Sequence, residues 1–179
     1  MKKLFTVFVL TVISVIGADA QNNSTKSLSI GAELGLPTGD LSNMQKAGAG
    51  ISAKMAFPVV ANGAFTASLG YLGFGGKSIN LLGISYSNPS WSMVPVKLGF
   101  RYKIPGTAVN VEPQLGYTFG SRSGSPARDV SGVTWALGAG YYFTPSIDLG
   151  LRYESFSVSG GSLNFIGLRL AYNFNIGDR

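Results

Sequence analysis

Apolar and polar residues alternate along most of the chain, and this alternation predicts β-strands. It is clearest in the segment PVKLGFRYKIPGTAVNVEPQLGYTF, residues 95–119. Even positions from Val96 to Ile104 are apolar, the odd positions between them are polar or glycine, and the pattern resumes after PGTA. Successive side chains of a strand point to opposite faces. The segment is therefore predicted to form a hairpin with one apolar and one polar face.

Segments of this kind follow one another along the chain, and the links between them alternate in length. Long links such as KSINLLGISYSNPS are followed by short ones such as PGT and TP, which suit tight turns between antiparallel strands. No linker-like segment divides them, so we expect a single all-β domain. The predicted strands are residues 27–36, 47–57, 63–75, 91–104, 108–120, 132–143, 146–157 and 162–176.

The charged residues test this assignment, because each apolar face is chosen from hydrophobic residues alone. Every charge within the predicted strands falls on the opposite face. A soluble barrel would turn that polar face outward, whereas a membrane barrel turns it into the lumen and exposes the apolar face to lipid. The charges are Glu33, Lys54, Lys97, Arg101, Lys103, Glu112, Asp148, Arg152, Glu154 and Arg169.

Several features favour the membrane barrel. The polar face is rich in glycine, aromatic residues gather near strand ends, and the strands are long enough for a tilted span. Charged residues make up 12% of the chain, against about a quarter in soluble proteins. Turning Lys97, Arg101 and Lys103 towards lipid would cost about 2–4 kcal/mol each near the midplane. We therefore predict an all-β, eight-stranded antiparallel up-and-down transmembrane β-barrel; the alternative is a soluble secreted β-barrel binding protein.

The N-terminal segment has the three regions of a secretory signal peptide. Lys2 and Lys3 precede the apolar run LFTVFVLTVISVIG, and small residues follow at Ala18 and Ala20. This order is typical of a signal peptidase substrate rather than of a membrane anchor. Residues 1–20 are therefore predicted to be a cleaved signal peptide, and residues 21–179 the barrel domain.

These features together resemble a known family. The predicted signal peptide, the amphipathic strands, the short proline turns and the aromatic final strand GLRLAYNF are similar to small outer-membrane β-barrels of the OmpA/OmpX type. These are also described as the "porin family" or outer membrane protein β-barrel domain. The resemblance implies localisation in the outer membrane of a Gram-negative bacterium and contact with its lipid and lipopolysaccharide. It also implies insertion by the barrel-assembly machinery.

The polar face predicts a lumen filled with charged side chains. An eight-stranded barrel is just wide enough inside for side chains, and buried charges need partners. A symmetric PGTA turn would set Arg101 opposite Glu112, and barrel closure would bring Glu33 near Arg169. We expect a network that plugs the lumen; a few solvated charges in a wet lumen are the alternative. Its members are Glu33, Lys54, Lys97, Arg101, Glu112, Asp148, Arg152, Glu154 and Arg169.

Four apolar residues depart from the alternation near the long links. Leu72 and Phe74 on the third strand, and Phe156 and Val158 on the seventh, lie on the polar face. We interpret them as positions where the strands leave the membrane, so that the alternation lapses. Leu72 and Phe74 also leave open a second function, a narrow channel for small or apolar solutes.

Catalytic and metal-binding chemistry find little support in the sequence. The chain has no His and no Cys, whereas barrel enzymes of the outer membrane resemble one another in relying on a His. No Ser–Lys arrangement and no regular run of loop carboxylates is readable. The net charge of +6 comes without a Lys/Arg cluster typical of nucleic-acid binding. We predict no enzyme, no cofactor, no metal and no nucleic-acid partner.

The longest link is the candidate for recognition of a protein partner outside the cell or in the periplasm. Apolar residues at a loop tip either form a binding surface or pack on the barrel rim, and the sequence leaves both open. Arg122 and Arg128, on another link, would suit lipopolysaccharide phosphates or remain solvated. The sequence thus predicts a structural or loop-mediated recognition role. The candidates in the longest link are Leu81, Leu82, Ile84, Tyr86 and Trp91.

Overall fold

The structure, a computed structural model, describes residues 26–81, 84–123, 128–158 and 161–176. The predicted signal peptide, residues 1–20, lies outside the described residues. No helix in the described ranges is long and apolar enough to cross a membrane. The elements are β1 (Lys26–Thr38), α1 (Asp40–Met44), β2 (Gln45–Val60), β3 (Gly63–Gly76), β4 (Ser78–Leu81), β5 (Ile84–Ser87), β6 (Trp91–Lys103), β7 (Val109–Arg122), β8 (Arg128–Thr144), β9 (Ile147–Val158) and β10 (Gly161–Ile176).

Eight strands close into one barrel, which confirms the predicted fold. The order around the barrel is β1-β10-β9-β8-β7-β6-β3-β2, and every neighbouring pair is antiparallel. Closure joins the first and last strands over the full length of β1, from Lys26 opposite Ile176 to Thr38 opposite Asn164. Because the ladder is closed, the barrel has no unpaired edge. The remaining two strands, β4 and β5, pair with each other in the longest link.

The short turns and the long links lie at opposite ends of the barrel. The turn between β6 and β7 is closed by the Ile104 N–H, which donates to the Val109 carbonyl at 2.9 Å. Gly106 in this turn has a φ of 75°, a conformation that disfavours side chains with a Cβ. Helix α1 and the β4–β5 hairpin belong to the other end. In outer-membrane barrels the short turns face the periplasm and the long loops face outward.

The outer surface of the barrel is apolar, which excludes the soluble alternative. Leu115 is 63% exposed and Ile51 is 66% exposed, whereas Glu154 on the inner face is 1% exposed. A water-soluble barrel would bury the first two and expose the third. Aromatic side chains pair at the ends of the outer face, where Tyr141 lies 5.2 Å from Phe143 between ring centroids. This distribution matches a lipid-facing belt with an aromatic girdle.

Candidate functional site

The lumen contains two sets of side chains, and the first is charged. We call it the charged layer. Its members lie on six of the barrel strands, and all of them are mostly or fully buried. Inward direction follows from strand parity, because every second side chain of a strand points to the same face. The members are the nine predicted residues Glu33, Lys54, Lys97, Arg101, Glu112, Asp148, Arg152, Glu154 and Arg169.

Glu112 is one centre of the charged layer. Its carboxylate accepts hydrogen bonds from Lys54 Nζ at 3.0 Å and from Arg101 Nε at 2.9 Å. Thr66 and Gln114 also donate to it, at 2.9 and 2.5 Å. Lys54 on β2 and Glu112 on β7 are separated around the wall by β3 and β6. The contact therefore crosses the lumen and ties together strands that share no ladder.

Glu154 is the second centre. It accepts hydrogen bonds from Lys97 Nζ at 2.5 Å and from Arg152 Nε at 2.7 Å. The same guanidinium donates through Nη2 to Glu33 at 2.6 Å. These contacts connect β1, β6 and β9 through the interior. Charge-assisted bonds of this length are stronger than neutral ones, and breaking one leaves a buried charge unpaired.

Arg169 is held differently from the other cations. Its Nε donates to Ser52 Oγ at 2.8 Å and its Nη2 to Ser29 Oγ at 2.9 Å. The carboxylates closest to it are Glu33 at 3.8 Å and Asp148 at 3.7 Å, outside hydrogen-bonding distance. The expected proximity of Glu33 and Arg169 is present, since the two are directly opposite in the β1–β10 ladder. The carboxylate of Glu33, however, is bonded to Arg152.

Inward-facing glycines make room for these side chains. A Cβ at Gly167 would lie 2.9 Å from the guanidinium carbon of Arg152. A Cβ at Gly116 would lie 2.0 Å from the Val96 carbonyl and 2.6 Å from the Lys97 Cα. The packed interior leaves a cavity of about 50 Å³ beside the charged layer. That is room for a few water molecules, each of which needs roughly 10–15 Å³ on this measure.

The second set of lumenal side chains is apolar and lies towards the long-link end. We call it the apolar cap. Phe74 and Phe165 pack edge to face with 5.5 Å between their ring centroids. Trp91, Val130, Val158 and Leu163 pack against the cap at its margin. Its core residues, each 2% exposed or less, are Leu72, Phe74, Met93, Phe156 and Phe165.

The apolar cap corrects the interpretation of the four exceptions. Leu72 and Phe74 are each 1% exposed at a level where β3 is still paired with both neighbours, so the alternation lapses at a packed cluster and not at a strand end. Phe156 is 0% exposed rather than emerging into solvent. Taken strand by strand these residues look like lapses in the alternation. The sequence did contain a signal for the cap: apolar residues occupy inward-facing positions on four strands, all near the same end of the barrel. Phe165 and Met93 belong to this set together with the exceptions noted above.

The predicted recognition residues fall into two places. Leu81, Ile84 and Tyr86 lie in the β4–β5 hairpin, whose backbone pairs Leu81 with Ile84. Leu82 lies outside the described residues. Trp91 begins β6, packs against the apolar cap and has the Arg122 guanidinium 5.9 Å from its ring centroid. Trp91 therefore belongs partly to the rim packing that the sequence left as an alternative.

The carboxylates of the lumen are engaged in ion pairs and hydrogen bonds. Among the residues that the structure describes, no group of His, Cys, Asp or Glu side chains could hold a metal ion. The carboxylates of the charged layer are instead occupied by basic and neutral donors. The lumenal arrangement is therefore suited to holding strands together.

Comparisons with known proteins agree with this architecture. The model of the family "Outer membrane protein beta-barrel domain" matches residues 8–174. Ail, the attachment invasion locus protein of Yersinia pestis, is similar in structure with a TM-score of 0.61 and 16% identity, covering 86% of this chain and 100% of that one. No curated protein sequence matches.

Two further solved structures have the same fold. The N-terminal β-barrel domain of Pseudomonas aeruginosa OprF has a TM-score of 0.58 at 12% identity, covering 83% of this chain and 97% of that one. Neisserial surface protein A has a TM-score of 0.56 at 13% identity, covering 84% and 97%. The family match spans most of the chain, and the lipid-facing belt encloses a polar lumen. The chain thus belongs to the outer membrane protein beta-barrel domain family and is an integral outer-membrane protein of a Gram-negative bacterium.

Proposed function

We propose that this protein is a closed barrel that acts through its outward-facing loops, as a structural and recognition protein, and that it neither conducts solutes nor catalyses a reaction. The observation that carries the proposal is the filled lumen. The charged layer and the apolar cap follow one another along the barrel axis. Both would have to rearrange before a solute could pass.

Opening the charged layer would be costly. Lys97 and Glu154 are 5% and 2% exposed in their side chains, and they bridge strands that are not neighbours. Removing one partner from a buried pair costs about 3–5 kcal/mol, because the remaining charge stays uncompensated. The cap adds a water-excluding layer in which Phe74, Phe156 and Phe165 are nearly fully buried. We therefore favour the structural and recognition role over a narrow channel for small or apolar solutes.

The rim at the long-link end supports recognition of phosphate or sulfate groups. Lys46, Lys77 and Arg122 are exposed there. Lys77 Nζ donates to the Ser42 carbonyl at 2.6 Å, which holds its ammonium group at the end of α1. Basic side chains at this level would face lipopolysaccharide phosphates in the outer leaflet. Ail, which has the same fold, has been solved in complex with the heparin analogue sucrose octasulfate, and we propose binding of a similar polyanion by the rim of this barrel.

Conductance tests the closed lumen. The purified barrel, inserted in a planar lipid bilayer, should show no steady open level under an applied voltage. A large porin, whose lumen is a water-filled channel, serves in the same bilayer as the positive control for insertion and recording. A reproducible open level from the wild-type chain would overturn the closed-barrel proposal. Hydrolysis of lipid by the pure protein above background would overturn its non-catalytic part.

Binding tests the recognition role separately. In lipid nanodiscs, the triple variant K46Q/K77Q/R122Q should bind lipopolysaccharide or sucrose octasulfate at least about tenfold more weakly, since each lost charge-assisted bond contributes roughly 1 kcal/mol or more. The control is K103Q, which removes one charge at the short-turn end of the barrel, where Lys103 is exposed. Unchanged binding by the triple variant would contradict polyanion recognition at the rim.

We infer that insertion uses the barrel-assembly machinery, as in the family that the sequence resembles. The final strand carries Leu170, Tyr172 and Phe174 on the lipid-facing side, and all three are exposed. Tyr172 and Phe174 contact each other in a tilted arrangement, with 4.8 Å between ring centroids, near the short-turn end. Cells depleted of the assembly machinery should accumulate the unfolded chain in the periplasm, and normal folding in such cells would contradict the inference.

A further inference from the structure

The charged layer holds an uneven number of charges. Within the described part of the chain it contains five basic and four acidic side chains, all mostly buried. An unbalanced charge in a low-dielectric interior is expensive, and proteins compensate it with a partner or an ion. The basic members are Lys54, Lys97, Arg101, Arg152 and Arg169, and the acidic members are Glu33, Glu112, Asp148 and Glu154.

Arg169 is the basic member of the charged layer without a carboxylate within hydrogen-bonding distance. Lys54 and Arg101 share Glu112, while Lys97 and Arg152 share Glu154, and Arg152 also bonds Glu33. Each of these four cations therefore has a carboxylate within 3.0 Å. Arg169 has its two closest carboxylates at 3.8 and 3.7 Å.

Arg169 is also the cation with a free donor. Among the described residues, its buried Nη1 has no hydrogen-bond partner. Asp148, the carboxylate closest to Nη1, is bonded through its other oxygen by Asn173 Nδ2 at 2.6 Å. The arginine is 4% exposed, so bulk solvent does not satisfy the donor. An unpaired charged donor in this position calls for a further acceptor.

A cavity lies beside Arg169. It has a volume of about 50 Å³, and its lining carries five basic side chains, Arg169 among them, and three carboxylates, with Asn110 and Gln114 beside them. The side chains of asparagine and glutamine supply N–H donors beside the cationic groups. The space is sufficient for a few water molecules and too small for a sugar or a nucleotide. A divalent oxyanion would overcompensate a surplus of one charge.

We propose that this lumenal cavity binds one small monovalent anion, chloride under physiological conditions, against Nη1 of Arg169. The anion accepts the hydrogen bond that Arg169 lacks and balances the charged layer. Its binding stabilises the folded barrel, since the unfolded chain has no such site. The site lies inside the lumen and is separate from the rim proposed for recognition, so either proposal can fail without the other.

Bromide gives a direct test in the wild-type protein. Crystals grown with bromide in place of chloride should show an anomalous scattering peak inside the lumen, within hydrogen-bonding reach of Arg169 Nη1. Peaks confined to the protein surface, or a cavity containing water alone, would overturn the proposal. This measurement needs no variant and stands even if substitutions of Arg169 prevent folding.

Stability gives a second test. Unfolding in urea, which is uncharged, is measured at constant ionic strength with gluconate replacing chloride, so that screening stays the same. Above the dissociation constant, each tenfold rise in chloride should lower the unfolding equilibrium constant about tenfold. The variant R169Q should lose this dependence, and K103Q, with the same charge change at an exposed position, should keep it. If the stability of the wild type did not depend on chloride, the proposal would be overturned. The surplus positive charge would then have to be removed by loss of a proton from a buried lysine.

Discussion

The charged layer and the apolar cap occupy the same lumen and fill it in opposite ways. Both are formed by the inward side chains of the same strands, for example Arg152 and Phe156 on β9. The charged layer makes directional contacts between fixed atoms, such as Arg152 Nε to Glu154 at 2.7 Å. The cap makes contacts without direction, by packing rings such as Phe74 and Phe165. Strand parity decides that a side chain points inward, and the chemistry at each level decides how the lumen is closed there.

The difference has an energetic consequence. A charged contact is specific but fragile, because losing one partner leaves the other buried and unpaired. A packed ring is replaceable, since its loss leaves a cavity that neighbours partly fill. Substitutions of equal size should therefore be most damaging in the charged layer, less damaging in the cap and least damaging in the loops.

The largest effect is expected for E112Q. The substitution keeps the shape of the side chain but leaves Lys54 and Arg101 without their shared carboxylate. We expect the free energy of unfolding to fall by about 3–5 kcal/mol, the cost of a broken buried ion pair. Urea unfolding in lipid vesicles, followed by heat-modifiable migration on gels, measures it.

The control for E112Q is D129N, the same chemical change at an exposed carboxylate. Its effect should stay within about 0.5 kcal/mol. Equal effects of the two substitutions would mean that the lumenal charges are well solvated, which is the wet-lumen alternative.

A smaller effect is expected for F156A in the apolar cap. Phe156 is 0% exposed, and its truncation should cost about 3 kcal/mol, the low end for a buried phenylalanine because water can enter from the long-link end. In a W135F background, Trp91 is the remaining tryptophan and packs against the cap. Its fluorescence should shift to the red as the cap loosens.

The lipid-facing variant F119A is the matched control, since Phe119 is 52% exposed on the outer surface. Acyl chains are as apolar as the lost ring and take its place, so its effect should be clearly smaller than that of F156A. If F119A were the more damaging substitution, the cap would not be a core.

Overpacking the cap should have a more modest effect. A Cβ at Gly35 would lie 2.7 Å from the Phe74 ring and 3.2 Å from Leu72, so G35A must displace the ring. We expect a loss of about 1–2 kcal/mol. At Gly150, also on the inner face, the nearest atoms to a Cβ are 3.9 Å away, and G150A should be close to neutral. Equal stability of G35A and G150A in the urea experiment would argue against tight packing of Phe74.

The smallest effect is expected outside the lumen. Replacing residues 78–87, the β4–β5 hairpin, with a short glycine-serine linker leaves every barrel ladder intact, because β3 and β6 pair directly. The free energy of unfolding should change by less than about 1 kcal/mol, since loop length has a weak effect on stability. A large loss would show that the hairpin supports the cap, whereas lost partner binding at unchanged stability would assign recognition to it.

Much of the fold was predictable because β-strands have a short, strict period. Alternation located all eight barrel strands, and the position of Lys97, Arg101 and Lys103 relative to the apolar residues decided which face meets lipid. Arg101 opposite Glu112 also followed from counting outward from one tight turn, and the two side chains are 2.9 Å apart. Contacts within one hairpin depend on local register alone.

Contacts across the lumen could not be predicted by counting residues outward from a turn. Lys97 and Glu154 lie on strands separated by two others, and their distance depends on the tilt, stagger and curvature of the closed barrel. The same reason explains why Glu33 bonds Arg152 rather than Arg169, its neighbour in the ladder. The apolar cap was missed because its members come from separate strands.

The sequence by itself determined the strands and their two faces, with apolar residues turned outward and charged residues inward. It could do so because the alternation of side chains between two faces is a local property of an extended backbone. Tertiary structure decided which inward side chains meet, that the apolar exceptions join into one cap, and that Arg169 is the cation without a close carboxylate. Those outcomes depend on distances across a closed barrel, which exist only once the first strand has paired with the last.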